Sequence, residues 1–287
     1  MNYQGLNCIT QKNCYSLFLI YETLWNIEQV QWYIKLNVIV AFHKIQIVAE
    51  NEWKTAFCTR YRLYEWLITP FDLVNVSSIF QRYINWTLRD FLDEFCSVYM
   101  NDILIFINES LHQHQDYVWK MLFCLREVEL QIDIDKCEFE VKSIKYLRFI
   151  LKVKKSVQIN SQKVKVIVNW QASQSVKEVQ SFINFANFYC KFIKNFFSLI
   201  MLMIAFVQKN TSFKWSDDAD QRFKKLKAMF VTASILMQFD HTHTTVMKMN
   251  SSDWCIEDTL LQLMNNMWRS CAYYSKKNTS AECNYEI

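Results

Sequence analysis

The stretch SVYMNDILIF, Ser97 to Phe106, decides how this chain is read. Apolar residues flank a short polar tip, the pattern of a β-hairpin, and Asn101-Asp102 is a pair whose side chains tolerate turn geometry. Taken alone it is a hairpin and nothing more. The sharper question is whether the tip once carried two adjacent carboxylates, and what chemistry a single one leaves.

Outward from this hairpin, the chain reads as β-rich segments followed by helices. Trp32 to Val48 is β-rich with a polar break around Asn37, and Thr55 to Phe71 reads as two strands and a turn ended by Pro70. Ser77 to Leu92 carries Ile79, Phe80, Tyr83, Ile84 and Leu88 at helical spacing, with serines available as caps. A helix is expected from about Leu111 to Val128, with short strands over Lys145 to Leu151 and Val157 to Ile159. Ser161 to Val207 is helical in pattern, and Ser175 with Glu178 three residues later forms a capping-box signal. Another helix is expected over Asp217 to Val231, its acids complementing the helix dipole. A β-like segment, Thr244 to Met249, then opens a last module. This order implies an α+β domain, a small helical region and the start of a third unit.

Composition excludes several classes. Ten cysteines are scattered with no Cys-x-x-Cys spacing, and no signal peptide opens the chain, so free thiols in a reducing compartment are expected rather than a disulfide framework. The longest apolar run, Phe196 to Val207, is short of the roughly 20 residues a membrane helix needs. The net charge of +4 permits a nucleic-acid partner without requiring one. His112 and His114, like His241 and His243, lack a third ligand at suitable spacing for a metal. The chain holds one glycine, Gly5, and one proline, Pro70, where ordinary usage predicts roughly 20 and 14. A fold with hairpins and tight loops should miss both.

Several stretches line up, in order, with one family. Asn2 to Thr10, Lys35 to Ile47, Glu52 to Phe57, Tyr64 to Arg82, VYMNDILIF, Lys136 to Ile150, Ser175 to Phe196 and Ala281 to Ile287 together resemble the reverse transcriptase region of gypsy-type LTR retrotransposons. The resemblance spans essentially the whole chain. It implies a right-hand polymerase: fingers and palm over 1–150, a helical thumb and connection over 151–240, and an incomplete RNase H-like α/β segment over 241–287. The family activity it implies is RNA-directed DNA synthesis on a template-primer, with Mg²⁺ as cofactor and RNase H degrading the RNA strand.

The implied polymerase chemistry is attack of a primer 3′-hydroxyl on the α-phosphate, with two Mg²⁺ about 3.5–4 Å apart. Hard dications need clustered anionic oxygens. The family's Leu-Asp-Leu motif reads Leu36-Asn37-Val38, and its Tyr-x-Asp-Asp motif reads Tyr99-Met100-Asn101-Asp102. Two of three carboxylates are therefore amides, only Asp102 is retained as a metal ligand, and loss of polymerase activity is expected. Phe42 matches the aromatic residue under the nucleotide sugar, and a plain core aromatic is the equally weighted reading. The nucleotide-side Pro-Phe-Gly loop reads Pro70-Phe71-Asp72, and the primer-positioning Leu-Gly motif reads Leu147-Arg148 after Tyr146. The RNase H motif Thr-Asp-Ala-Ser-Asp reads Met249-Asn250-Ser251-Ser252-Asp253, so that metal ligand is also an amide, at Asn250. The family's triphosphate clamp and RNase H catalytic Glu are expected beyond the two ends of this sequence.

Against the residues the resemblance implies, Asn for Asp at 2, 37, 101 and 250, Arg62, Asp72, Arg148 and Glu257 for glycine, and Ser16 and Ser77 for proline are all reachable by G-to-A or C-to-T changes. Cytosine deamination on both strands would produce this set, and loss of structural glycines along with catalytic acids favours decay over repurposing. Two other readings stand beside it. One is a residual nucleic-acid binder using Lys35, Lys54, Arg60, Arg82, Lys142, Lys145, Arg148, Lys152, Lys154 and Lys155. The other is a competent polymerase relying on Asp102 and borrowed ligands.

Overall fold

The computed structural model describes residues 2–15, 30–39, 41–107, 111–153, 156–172, 175–207, 213, 215–233, 236–237, 239–252, 254–279 and 281–284. Among these the chain forms two compact units, Met1–Leu147 and Arg148–Ile287.

The first unit opens with helix α1 (Gln4–Ile9) and is built on a five-stranded sheet. Its strands are β1 (Trp32–Ile39), the short hairpin β2 (Phe57–Cys58) and β3 (Leu63–Tyr64) outside the sheet, then β4 (Cys96–Tyr99), β5 (Asp102–Ile107), β6 (Gln131–Ile132) and β7 (Glu138–Val141). The sheet order is β4-β5-β1-β6, with β7 also pairing β1, and every pair is antiparallel. Helices α2 (Val76–Thr87) and α3 (Leu111–Glu127) cover it. Ile34, Leu36 and Val38 of β1, Phe80 and Ile84 of α2, Val98, Ile103 and Ile105 of the hairpin, and Met121 and Leu125 of α3 form one core. Strand β8 (Ser143–Tyr146) ends the unit.

Three local expectations need correction. Asn37 does not break β1, because it sits in register opposite Asp102 of β5 and its ladder continues to Ile39. Helix α2 has no side-chain cap: its N-cap residue is Asn75, and Ser78 Oγ donates to the Asn75 carbonyl at 3.0 Å instead. The segment 145–151 is two strands rather than one, because Leu147 and Arg148 both take positive φ, 47° and 72°. That is the backbone of a two-residue type I′ turn.

The second unit begins with β9 (Phe149–Lys152) and β10 (Ser156–Ile159), an antiparallel pair. Helices α4 (Ser161–Val168), α5 (Val176–Asn187), α6 (Phe196–Ala205) and α7 (Asp217–Val231) follow. Side chains cap three of these helices: Asn160 accepts from Gln162 N–H, Ser175 from Glu178 N–H and Ser216 from Ala219 N–H, whereas Asn195 before α6, at φ 56°, makes no cap bond. The apolar run forms α6, burying Phe196, Leu199, Ile200 and Met203. No described helix is long and apolar enough to cross a membrane. Phe182 and Phe223 meet with ring centroids 4.7 Å apart, tying α5 to α7. A three-stranded antiparallel sheet closes the chain: β11 (Thr245–Ser251), β12 (Cys255–Met264) and β13 (Met267–Lys277), in that order.

Candidate active site

Cross-strand register builds the centre of the first unit. Asn37 on β1 lies directly opposite Asp102 on β5, and the Asn37 Nδ2 amide donates to Asp102 Oδ1 at 2.8 Å. Both residues are half-buried. Tyr99 pairs with Asp102, so the turn consists of Met100 and Asn101, one residue earlier than the sequence suggests, and Asp102 opens β5. Register overrides the turn preference of Asn-Asp here, because it keeps Ile103 and Ile105 on the core face. Met100 takes φ 52°, the left-handed first position that two-residue hairpins of type II′ favour filling with glycine. The Asn101 carbonyl accepts from Val38 N–H at 2.8 Å, holding the tip against β1, while Asn101 Oδ1 is buried without a partner. Behind the site, Asn37 N–H donates to Cys137 Sγ at 3.4 Å, and Asp133 N–H donates to the Asn37 carbonyl at 2.8 Å.

A residue given no role in the sequence reading clamps this tip. Gln81 of α2 is fully buried; its Oε1 accepts from Met100 N–H at 2.7 Å, and its Nε2 donates to the Val98 carbonyl at 3.0 Å and to Asn85 Oδ1 at 2.8 Å. Asn85 Nδ2 passes the network on to Tyr15 OH at 2.9 Å. The sequence does carry a signal for it: Gln81 and Asn85 are polar residues four apart on the buried stripe of α2.

The other named positions fall as follows. Phe42, in a 3-10 turn over Ala41–Lys44, packs edge-on against Phe80 and Phe71 at 5.5 and 5.8 Å. Phe71 is 59% exposed, and Asp72 beside it has φ 74°. Asn7 of α1 fastens that loop, donating to the Asp72 carbonyl at 2.7 Å and accepting from Val74 N–H at 2.9 Å. Tyr146 is buried, its hydroxyl 3.3 Å from Ser97 Oγ. Burial pushes its phenol upward, the Asp102 carboxylate adding to the shift and the Ser97 contact opposing it. Leu147 follows at the end of the first unit, and Arg148 opens the second, its guanidinium 5.0 Å from the Phe188 ring.

In the second unit Asn250 lies on β11 opposite Glu257, whose Oε1 is buried without a partner. Asp253 lies outside the described residues, as do Lys154 and Lys155. Lys35 is already engaged, with Glu138 Oε1 and the Lys145 carbonyl each 3.4 Å from its Nζ. Part of the aromatic content lies outside the core. Trp53, Tyr61 and Trp86 are 63%, 77% and 64% exposed, and Lys54, Arg60 and Arg89 sit over their rings at 5.7, 4.9 and 5.4 Å.

A family model described as reverse transcriptase (RNA-dependent DNA polymerase) matches residues 1–151, more than half of the chain, and the chain belongs to that family. A second model, the RNase H-like domain found in reverse transcriptase, matches residues 215–287. The kinship is with mobile elements. The chain is 31% identical over 263 residues to the retrovirus-related Pol polyprotein from transposon 297 of Drosophila melanogaster, covering 91% of this chain and 25% of that protein. It is 26% identical over 288 residues to the transposon Tf2-3 polyprotein of Schizosaccharomyces pombe, covering 100% of this chain and 22% of that one. It thus spans about a quarter of the length of these relatives. Foamy viral protease-reverse transcriptase shares the fold at 20% identity. The TM-score is 0.85 against its double-stranded DNA complex (99% of this chain, 50% of that one) and 0.82 against its RNA/DNA hybrid complex (99% and 38%). The family is one of divalent-metal-dependent nucleotidyltransferases.

Proposed function

We propose that this chain is the fingers, palm, thumb and connection of a retrotransposon reverse transcriptase, with the beginning of its RNase H-like domain, and that its polymerase site is disarmed. Fingers and palm take 1–150, thumb and connection 151–240, and the RNase H-like segment 241–287. The substrate class is an RNA or DNA template-primer with incoming deoxynucleotides, and the family cofactor is Mg²⁺.

The observation that carries the reading is the hydrogen bond from Asn37 Nδ2 to Asp102 Oδ1. Two Mg²⁺ ions require several anionic oxygens converging on one point. Here the site offers one carboxylate, and one of its oxygens accepts from the neighbouring amide. Among the described residues no group of three or more His, Cys, Asp or Glu side chains could hold a metal ion. The donor set therefore does not fit the family's metal pair. Phe42 and Phe71 retain the apolar wall of a nucleotide pocket, whereas Asp72 puts a carboxylate where a triphosphate must approach. Tyr146, Leu147 and Arg148 occupy the primer-positioning turn, with Tyr146 as its buried anchor. At Asn250 the RNase H-like segment shows the same exchange of carboxylate for amide.

Primer extension on an RNA template, with Mg²⁺ or Mn²⁺, tests this directly. The chain is expected to extend nothing, and the Asn37→Asp/Asn101→Asp double variant to regain extension. Extension by the unaltered chain would sink the proposal.

A second reading, nucleic-acid binding without catalysis, draws on the exposed rings of Trp53 and Tyr61 with their overlying cations. Stacking on such rings is sequence-tolerant. Affinity for an RNA/DNA hybrid should then fall steeply with salt as counterions are released. A flat salt response, or no loss on Trp53→Ala/Tyr61→Ala, counts against it.

A further inference from the structure

The clamp on the hairpin tip does not end at Gln81. Met100 presents it with an N–H and Val98 with a carbonyl, and these fix the amide with Oε1 toward Met100 and Nε2 toward Val98. Because Nε2 also donates to Asn85 Oδ1, the Asn85 amide has one orientation left, with its Nδ2 donating to Tyr15 OH. A flipped Asn85 would set Nδ2 against Gln81 Nε2, donor against donor. Each link thus orients the next, and the oxygen of Tyr15 is the last acceptor. Gln81 and Asn85 are 0% and 8% exposed, so water offers little substitute for a lost partner.

Tyr15 is itself held in place by helix α2. Asn75, the N-cap residue of α2, accepts on Oδ1 from Asn13 N–H and donates from Nδ2 to the Gln11 carbonyl, both at 2.8 Å. Asn13 Oδ1 in turn accepts from Tyr15 N–H at 3.0 Å. Residues 11–15 are therefore fastened to α2 at Asn75 and again at Asn85. Ten helical residues span about 15 Å, and the two extended residues from Asn13 to Tyr15 cover roughly 7 Å. A long side chain ending in an oxygen must bridge the rest. Tyrosine meets both conditions.

We infer that Tyr15 is a positioning residue of the polymerase site. Its hydroxyl closes a relay through Asn85 and Gln81 to Met100, and so holds the tip that carries Asn101 and Asp102. Without that oxygen, Asn85 Nδ2 loses its acceptor, the Gln81 amide loses its oriented neighbour, and the bond to Met100 N–H loosens. Phenylalanine at position 15 keeps the ring, so the loosening is local to the tip. The functional role rests on reading this hairpin as the former metal-binding tip; the relay does not.

Amide hydrogen exchange, read by mass spectrometry on fragments of the unaltered chain and its variants, tests the relay without template, nucleotide or metal. Tyr15→Phe should speed exchange in the fragment covering residues 97–106 at least about tenfold and leave the fragment covering α3 unchanged. Asn85→Leu cuts the same relay one link further in and must give the same local pattern. Adding Tyr15→Phe to Asn85→Leu should then change nothing more. Unchanged exchange at the tip in either single variant, equal acceleration across the whole first unit, or additive effects in the double variant would overturn the relay. In the Asn37→Asp/Asn101→Asp background, Tyr15→Phe should lower the kcat of primer extension about tenfold and leave KM for deoxynucleotide unchanged. A loosened tip with unaltered kcat would overturn the positioning role, whereas no extension in that background with the relay intact would overturn the reading of the site.

Discussion

Restoring the two acids should first harm the fold and then make it respond to metal. In the parent chain the Asn37 amide donates to Asp102 across half-buried positions of β1 and β5. Asn37→Asp removes a charge-assisted hydrogen bond worth about 1.5–3 kcal/mol and sets two carboxylates face to face. At about 4 Å and an effective dielectric near 20, that repulsion is about 4 kcal/mol, which solvent reaching both groups cuts to roughly 2. The double variant with Asn101→Asp should therefore lose on the order of 3–5 kcal/mol in EDTA. For a unit of this size that lowers the melting temperature by on the order of 10 °C. Mg²⁺ at a hundred times its dissociation constant returns about 2.7 kcal/mol, raising the midpoint again by several degrees. Thermal unfolding followed by tryptophan fluorescence, with EDTA or MgCl₂, reads both effects. A variant as stable as the parent in EDTA, or a parent that gains as much from Mg²⁺ as the variant does, would refute this coupling.

Three further outcomes follow from the backbone and the buried polar groups. Arg148→Gly should stabilise the protein by about 1 kcal/mol, because relief of about 1–2 kcal/mol of strain at φ 72° exceeds the unfolded-chain entropy of about 0.4–1 kcal/mol that glycine adds. Arg62→Gly, at a position outside the left-handed region, should cost about 0.4–1 kcal/mol through unfolded-chain entropy, and equal effects of the two in thermal melts would refute the distinction. Gln81→Ala strips partners from Met100 N–H and the Val98 carbonyl, so a loss of about 2–4 kcal/mol is expected in the urea midpoint at an unchanged m-value. His114 is fully buried with neither ring nitrogen bonded. Burial holds its pKa below the ordinary 6.5, against the opposing pull of Glu140. Below that value the unfolded chain binds more protons than the folded one, so stability falls as pH drops from about 6.5. His114→Phe should flatten urea stability over that acid range, and an unchanged slope would rule His114 out as its source.

Much of the architecture was legible because its signals are local. The apolar stripe of α2, the Ser175 cap and the acidic first turn of α7 each lie within a few residues of what they specify. Positions set by distant strands were misread. The tip of the hairpin moved by one residue because the Tyr99↔Asp102 register, and not the turn preference of Asn-Asp, decides where the strands cross. The segment 145–151 divided at Leu147-Arg148, a pair with no turn signal of its own, whereas the matching turn between β12 and β13 uses Asn265-Asn266 at φ 50° and 59°, residues suited to that backbone.

The four positions where the family resemblance implies glycine show the same division. Sequence alone treats Arg62, Asp72, Arg148 and Glu257 alike. In the fold only Asp72 and Arg148 sit in the left-handed region, so only there does a side chain strain the backbone. By itself, then, the sequence determined the family and the order of elements, since both are written in contiguous residues. Tertiary structure alone decided that Asn37 spends its amide on Asp102, that Gln81 holds the hairpin tip, and that Asp72 and Arg148 take positive φ while Arg62 and Glu257 do not. Those facts depend on pairings between segments tens of residues apart, which no local pattern encodes.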